Sequence, residues 1–200
     1  MIKEPGVVIN QGDHLVSLNY NKEILVFDDL DLIYETQQMY DIVTLNDFSW
    51  YINARTVLKS DTYDTALFND FDFMNHVFIV NKNKNSDSAY LPIKMLELFS
   101  DKSGIKFKHI LRAQANLTPE KKITKPSPPH TDIDIPHYVL LLYLNDSDGD
   151  TIMFDDNRVE FKRIAPKCGR FVLFDGSIKH SLIPPTNTKH RIVFNYNLGI

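Results

Sequence analysis

Hydrophobic positions along this chain follow two rhythms, and the change from one to the other divides it near residue 105. Glu23-Ile24-Leu25-Val26-Phe27 is a short apolar run of strand length. After it, Leu32, Ile33, Thr36, Met39, Tyr40 and Val43 keep the three- and four-residue spacing of one helix face, and Asp29 or Asp31 stands where a helix start is capped. The spacing predicts a second helix over 90–99 and a strand over 74–80, between loops rich in Asn and Asp.

Beyond residue 106 the apolar runs shorten, and Pro, Gly, Asn and Asp separate them. Strands are predicted near 106–117, 138–144, 151–154, 159–164, 170–175 and 191–197. Evenly spaced short strands of this kind suit a sandwich or barrel rather than a bundle. The expected fold is therefore mainly β (α+β): a double-stranded β-helix, or jelly roll, with the N-terminal helices packed on one outer face. Neither a repeat nor a low-complexity segment interrupts the chain. Residues 1–200 thus read as a single domain, 1–105 supplying supporting strands and helices and 106–200 the jelly-roll core.

Composition adds limits. A hydrophobic content of 43% over 200 residues is enough to build one core without disulfides or a structural metal. The single Cys168 has no internal partner, which fits a reducing cytoplasm. No run reaches membrane-spanning length, and Met1-Ile2-Lys3-Glu4-Pro5-Gly6 lacks the profile of a secretory leader, so a cytoplasmic protein without a membrane partner is expected. A net charge of -4 weighs against nucleic acid as a partner. Lys82-Asn83-Lys84 and Lys121-Lys122-Ile123-Thr124-Lys125 read as solvated loops, and are the first places to test for an anionic substrate.

The chemistry lies in His130, Asp132, His180 and Arg191. Two imidazoles and one carboxylate can bind one face of a ferrous ion and leave three positions open for co-substrate and oxygen. His130 and Asp132, alternate residues of an expected extended segment, fall on one side of it. His180 must arrive from another strand, after the turn at Asp175-Gly176-Ser177. Arg191 opens the last strand and shares its parity with Val193, Asn195 and Asn197, so all four are expected to face the interior. A buried guanidinium there needs an anionic partner, and a dicarboxylate supplies one. Lys189 has the same parity and is the fallback. A His-x-Asp triplet alone is common; the order of strand, turn, His and Arg that follows it carries the signal.

With these residues in place the chain resembles the 2-oxoglutarate- and Fe(II)-dependent dioxygenases, in the branch near prolyl 4-hydroxylases, and within it the compact oxygenases of bacteriophages and marine bacteria. The resemblance runs from about Arg112 to the C-terminus. It is carried by Arg112-Ala113-Gln114-Ala115-Asn116-Leu117, Pro129-His130-Thr131-Asp132, Tyr143-Leu144-Asn145, Asp148-Gly149-Asp150-Thr151, Pro166-Lys167-Cys168-Gly169-Arg170, His180 and Arg191. Looser matches are Asn46-Asp47-Phe48-Ser49-Trp50-Tyr51 and Asn75-His76-Val77-Phe78.

The resemblance implies that His130, Asp132 and His180 bind Fe(II) and form the catalytic centre, and that Arg191 binds the distal carboxylate of 2-oxoglutarate. It implies a hydroxyl from Thr151 on that carboxylate, although Asp148 stands where the family often has glycine. It places Asn116 against the co-substrate, and Tyr138 in place of a co-substrate tyrosine whose position is Leu142 here. The implied reaction consumes O2, with ascorbate as a supporting reductant, and couples decarboxylation of 2-oxoglutarate to succinate with hydroxylation, because position 132 is Asp rather than the small residue of halogenating relatives. A prolyl or other peptide side chain is the favoured substrate. The same chemistry on a nucleobase or small metabolite, and a non-catalytic jelly-roll binding module, are the alternatives. Asp134 and His137 stand near enough to orient a metal ligand or simply to line the surface, and Arg112 to face the substrate opening; Trp50, Tyr51 and His76 read as packing residues.

Overall fold

The computed structural model describes residues 8–11, 14–17, 23–56 and 63–199. In chain order the elements are β1 (Val8–Gln11), β2 (His14–Ser17), β3 (Ile24–Phe27), α1 (Ile33–Val43), β4 (Tyr51–Asn53), β5 (Phe73–Val80), β6 (Asn83–Lys84), α2 (Tyr90–Ser103) and β7 (His109–Pro119). There follow β8 (Tyr138–Tyr143), β9 (Thr151–Phe154), β10 (Glu160–Ile164), β11 (Phe171–Asp175), β12 (Lys179–Leu182) and β13 (His190–Gly199). The major sheet runs β3-β11-β8-β13-β7-β5-β4, with β6 added to β5, and the minor sheet runs β10-β9-β12. All these pairings are antiparallel. The fold is the expected mainly β jelly roll with two helices.

The strands expected from 106 onward all form, and β12 joins them. Its sequence, Lys179-His180-Ser181-Leu182, has no apolar run, so nothing local marks it as a strand; β9 fixes it by pairing. Strands β3, β4 and β5 from the first half of the chain enter the same major sheet as β7, β8, β11 and β13.

Each strand of the major sheet has two faces with different tasks. Leu140 and Leu142, Phe171 and Leu173, and Ile192, Phe194, Tyr196 and Leu198 pack against Met39 and Val43 of α1 and Leu91, Met95 and Phe99 of α2. The opposite face, with Val139, Leu141, Tyr143, Val172, Phe174 and Val193, packs against Met153 and Ile164 of the minor sheet. Burial of each such side chain stabilises the fold by roughly 1.5–3 kcal/mol. The helices therefore cover one outer face, as the sequence predicts, and leave the space between the sheets to the site.

The helix ends differ from expectation at one point. Neither Asp29 nor Asp31 caps α1: its N-cap is Leu32, with no side-chain cap, and Asp31 takes a left-handed backbone (φ 55). Leu32 is 3% exposed, so the chain turns at Asp31 to draw that side chain into the core. The predicted end of α2 extends to Ser103, where Gly104 in the left-handed region (φ 75) donates its N–H to Ser100 O and closes the helix. Among the described residues no helix is long and apolar enough to cross a membrane.

Candidate active site

Strand β7 reads Arg112-Ala113-Gln114-Ala115-Asn116-Leu117-Thr118, and the alternation sorts its side chains. Ala113 and Ala115 lie in the helix-side core. Arg112, Gln114 and Asn116 line a cavity of about 990 Å³ between the sheets. The partner strand β13 continues the pattern, pairing Arg191 with Thr118, Val193 with Asn116, Asn195 with Gln114 and Asn197 with Arg112. Arg191, Val193 and Asn195 line the same cavity, as their parity predicts. Thr151, His130, Asp132, His180 and Ser181 complete its depth.

His130, Asp132 and His180 each offer a ligand atom, and these atoms all lie within 4.8 Å of one another. The convergence comes from the backbone. His130 and His180 exchange two hydrogen bonds, His130 N to His180 O (3.0 Å) and His180 N to His130 O (2.9 Å), in an isolated antiparallel bridge. Residues 131–136 then bend instead of continuing as a strand, so the bridge and bend, not a simple extended segment, aim His130 and Asp132 together. Both imidazoles are set alike. His130 Nδ1 donates to Pro128 O (3.2 Å) and His180 Nδ1 to Ile178 O (3.3 Å), which leaves each Nε2 with its lone pair. Burial pushes the His180 pKa down to about 4, outweighing the opposite pull of Asp132, so the ring is neutral at neutral pH. Burial works to raise the Asp132 pKa, but His180, Arg112, His130 and a hydrogen bond from Asn197 hold it well below the usual carboxylate range. Two imidazoles beside a carboxylate fit a divalent transition metal.

Deeper in the cavity, Arg191 is 3% exposed and makes no salt bridge among the described residues. Its Nη2 donates to Thr151 Oγ1 (2.8 Å), its Cζ lies 5.3 Å from the centre of the Tyr143 ring, and its Nε is buried without a hydrogen-bond partner. Tyr143 Oη also donates to Thr151 Oγ1 (2.7 Å), and burial raises the Tyr143 pKa so that the phenol keeps its proton. Thr151 Oγ1 thus accepts twice, which leaves its own proton to donate. Asn116 Oδ1, Thr118 Oγ1 and Ser181 Oγ are likewise buried without partners among the described residues. The free Nε–H of Arg191 and the hydroxyls of Thr151, Thr118 and Ser181 are donors that suit a carboxylate, whereas Asn116 Oδ1 is an acceptor and does not. Lys189 is exposed and does not line the cavity.

Tyr138 requires a correction. It belongs to the core beneath the helices with Leu140 and Leu142, so it does not face the cavity. The inward residues of β8 are Val139, Leu141 and Tyr143, and Tyr143 is the tyrosine beside Arg191. All six residues of β8 are buried, so no polar position reveals which alternate set faces the site. The expected glycine-rich motif is also reworked. Asp148 accepts from the backbone N–H groups of Thr186, Asn187 and Thr188 and from their side chains, which ties down the 186–188 loop that leads into β13.

The secondary residues divide. Arg112 reaches Asp132, Nη2 to Oδ1 at 3.0 Å. Asp134 is exposed on the cavity wall. His137 is buried rather than on the surface and packs against Gly176. His76 is a satisfied packing residue, with Nδ1 2.7 Å from Ser49 O and Nε2 2.7 Å from Ser86 Oγ. Trp50 packs on the core and donates Nε1–H to Val43 O (3.0 Å), whereas Tyr51 is exposed. Lys82-Asn83-Lys84 sits at an exposed hairpin, and Lys121 pairs with Asp72 (2.8 Å); neither cluster lines the cavity.

No protein-family model and no curated protein matches the sequence. Solved structures do match. A prolyl-4-hydroxylase of Pseudomonas putida aligns at 13% identity over 90% of this chain and 93% of its own, with a TM-score of 0.55. An oxidoreductase of the 2OG-Fe(II) oxygenase family from Burkholderia pseudomallei aligns at 14% identity over 88% of this chain and 84% of its own, with a TM-score of 0.60. A Trichoplax adhaerens prolyl hydroxylase, in complex with a hypoxia inducible factor oxygen degradation domain peptide fragment, aligns at 10% identity over 90% and 84%, with a TM-score of 0.54. The fold of this chain is the one these oxygenases and prolyl hydroxylases share.

Proposed function

We propose that the protein is an Fe(II)- and 2-oxoglutarate-dependent dioxygenase that hydroxylates a prolyl or other peptide-borne side chain. The observation that carries this reading is the pairing, in one cavity, of the His130–Asp132–His180 cluster with the buried guanidinium of Arg191, which has no salt bridge among the described residues. A metal-binding module without the co-substrate has no use for such an arginine, because an unpaired buried charge is costly.

His130, Asp132 and His180 hold the iron in this reading. The distal carboxylate of 2-oxoglutarate takes the free Nε–H of Arg191 and the hydroxyl proton of Thr151, with Tyr143 fixing the latter, and Asn116 borders the chain of the co-substrate. Bound iron supplies the activation of O2 that couples loss of CO2 from 2-oxoglutarate to oxidation of a C–H bond, with ascorbate as a supporting reductant. The protein orients the reactants and keeps water from the site.

The cavity wall supports a peptide. Asn53, Asn75 and Gln114 line it, and none of these carboxamides makes a side-chain hydrogen bond to another described residue, which suits the donor and acceptor groups of a main chain. Two structural neighbours are prolyl hydroxylases, one of them holding a peptide fragment. A second reading, the same chemistry on an anionic nucleobase-bearing or small metabolite, draws on Arg55, Arg158 and Lys179 along the same cavity. We propose further that residues 1–200 act as one oxygenase domain, in the cytoplasm.

Anaerobic addition of Fe(II) and 2-oxoglutarate is expected to produce a visible charge-transfer band, and admission of oxygen to release succinate slowly without substrate. Absence of both would reduce the protein to a binding module. Expression in cells followed by a search for a mass gain of one oxygen distinguishes peptides from nucleosides and metabolites.

A further inference from the structure

Asp132 is held more tightly than a metal ligand requires. Its side chain is 6% exposed, and its Oδ2 accepts two N–H groups, from Asn195 Nδ2 (3.2 Å) and Asn197 Nδ2 (2.8 Å). Its Oδ1 forms an ion pair with Arg112 Nη2 (3.0 Å) and lies 3.9 Å from His180 Nε2. Arg112 also donates Nε–H to Asn197 Oδ1 (2.7 Å), so the guanidinium orients the amide that in turn holds the carboxylate. The frame is built into the sheet: Asn197 and Arg112 are direct cross-strand partners on β13 and β7, and Asn195 is the next inward residue.

A carboxylate has about two lone pairs on each oxygen. Both on Oδ2 are engaged by carboxamides, whereas Oδ1, which is ion-paired with Arg112 and faces His180, accepts no hydrogen bond from another described residue. We infer that Asn195, Asn197 and Arg112 are positioning residues that restrict Asp132 to binding a metal through one oxygen. The inference rests on the iron and 2-oxoglutarate reading and explains how the site keeps its capacity. Two imidazoles and one oxygen would occupy three of six positions on a bound iron, which would leave two for 2-oxoglutarate and one for O2. A carboxylate bound through both oxygens would take a fourth and exclude one of the two.

The test is equilibrium titration of the full chain with Mn(II), then of the Mn(II)-loaded protein with 2-oxoglutarate, in wild type, Asn195→Ala, Asn197→Ala and Arg112→Met. The anaerobic Fe(II)–2-oxoglutarate absorption band is recorded for each. Release of Oδ2 is expected to leave Mn(II) affinity unchanged or tighter, within about threefold, while 2-oxoglutarate affinity falls roughly tenfold or more and the band shifts or weakens, the selective loss expected when support around a first ligand is removed. Asn195→Gln, which retains an N–H donor, is expected to recover part of the loss. Asn197 is fully buried, so where Asn197→Ala fails to fold, Asn195→Ala carries the same test directly and Arg112→Met carries it indirectly, by untying Asn197 Oδ1. Wild-type affinities and an unchanged band in those variants would overturn the inference and leave the enzyme reading intact. So would an equal loss of Mn(II) and 2-oxoglutarate binding, which marks a merely structural role. A wild-type protein that takes up neither Mn(II) nor Fe(II) would remove the enzyme reading and the inference together.

Discussion

Arg191 holds a buried charge with no salt bridge among the described residues, and Asp150 offsets it only from beyond ion-pair distance. Burial lowers its pKa, yet a guanidinium stays protonated at neutral pH, so the free protein carries the desolvation cost and a bound carboxylate offsets it. The two states should therefore respond to Arg191→Met in opposite directions. Affinity for 2-oxoglutarate is expected to fall about a hundredfold, near 3 kcal/mol. Stability of the ligand-free protein is expected to rise by roughly 1–2 kcal/mol, a few degrees in Tm, because the unpaired charge is gone and Tyr143 still satisfies Thr151. Calorimetric titration and thermal unfolding of the same variant read both. A loss of stability without ligand, or an unchanged affinity, would show that the guanidinium is satisfied by the protein itself.

Among the elements, the turn from β11 to β12 decides where His180 lies. Gly176 N donates to His137 O (2.9 Å), and a Cβ on Gly176 would lie 2.2 Å from His137 Cε1. The ring cannot swing aside freely, because it is 3% exposed and its Nδ1 donates to Ile135 O (2.7 Å). Glycine is required here for space rather than for a left-handed backbone, since Gly176 is absent from the positive-φ positions. Gly176→Ala is expected to cost about 1–3 kcal/mol through overpacking and to weaken Mn(II) binding by displacing β12. Adding His137→Ala opens the space and is expected to restore most of the lost Tm; a double variant no more stable than Gly176→Ala would locate the strain elsewhere.

For the whole molecule, the buried titratable groups set how it meets acid. His180 has a folded pKa of about 4, below the ordinary 6.5, so in that window the unfolded chain binds the extra proton and stability falls as pH drops from about 6.5 toward 4. Asp132, whose folded pKa is depressed, adds a further loss as pH falls below its ordinary 3.8. The metal-free protein is thus expected to lose on the order of 2–3 kcal/mol between pH 6.5 and 4 from His180 alone. Unfolding midpoints measured across that range should show the decline in wild type and a flatter profile in His180→Gln. Equal slopes for the two proteins would place the acid-sensitive group elsewhere.

What the chain determines locally is legible in it. The alternation of Arg191, Val193, Asn195 and Asn197 with larger apolar residues states which face of β13 is the site, and in the structure the same period of two sorts Arg112, Gln114 and Asn116 from the alanines of β7, because polar and apolar side chains segregate at that period. The same code is silent on β8, where both faces are buried and the inward tyrosine is Tyr143 rather than Tyr138, and on β12, which has no apolar run. It is silent too on Asp148 binding a loop some forty residues away and on Arg112 meeting Asp132. Those contacts come from non-local pairing: the bridge that sets His130 against His180, and the registers that stack Arg112 on Asn197 and Thr118 on Arg191. Sequence fixed the kinds of side chain and their parity, since these depend only on neighbours along the chain. Their convergence on one cavity belongs to the tertiary structure, because strand pairing and the closing of two sheets bring together residues that local periodicity cannot relate.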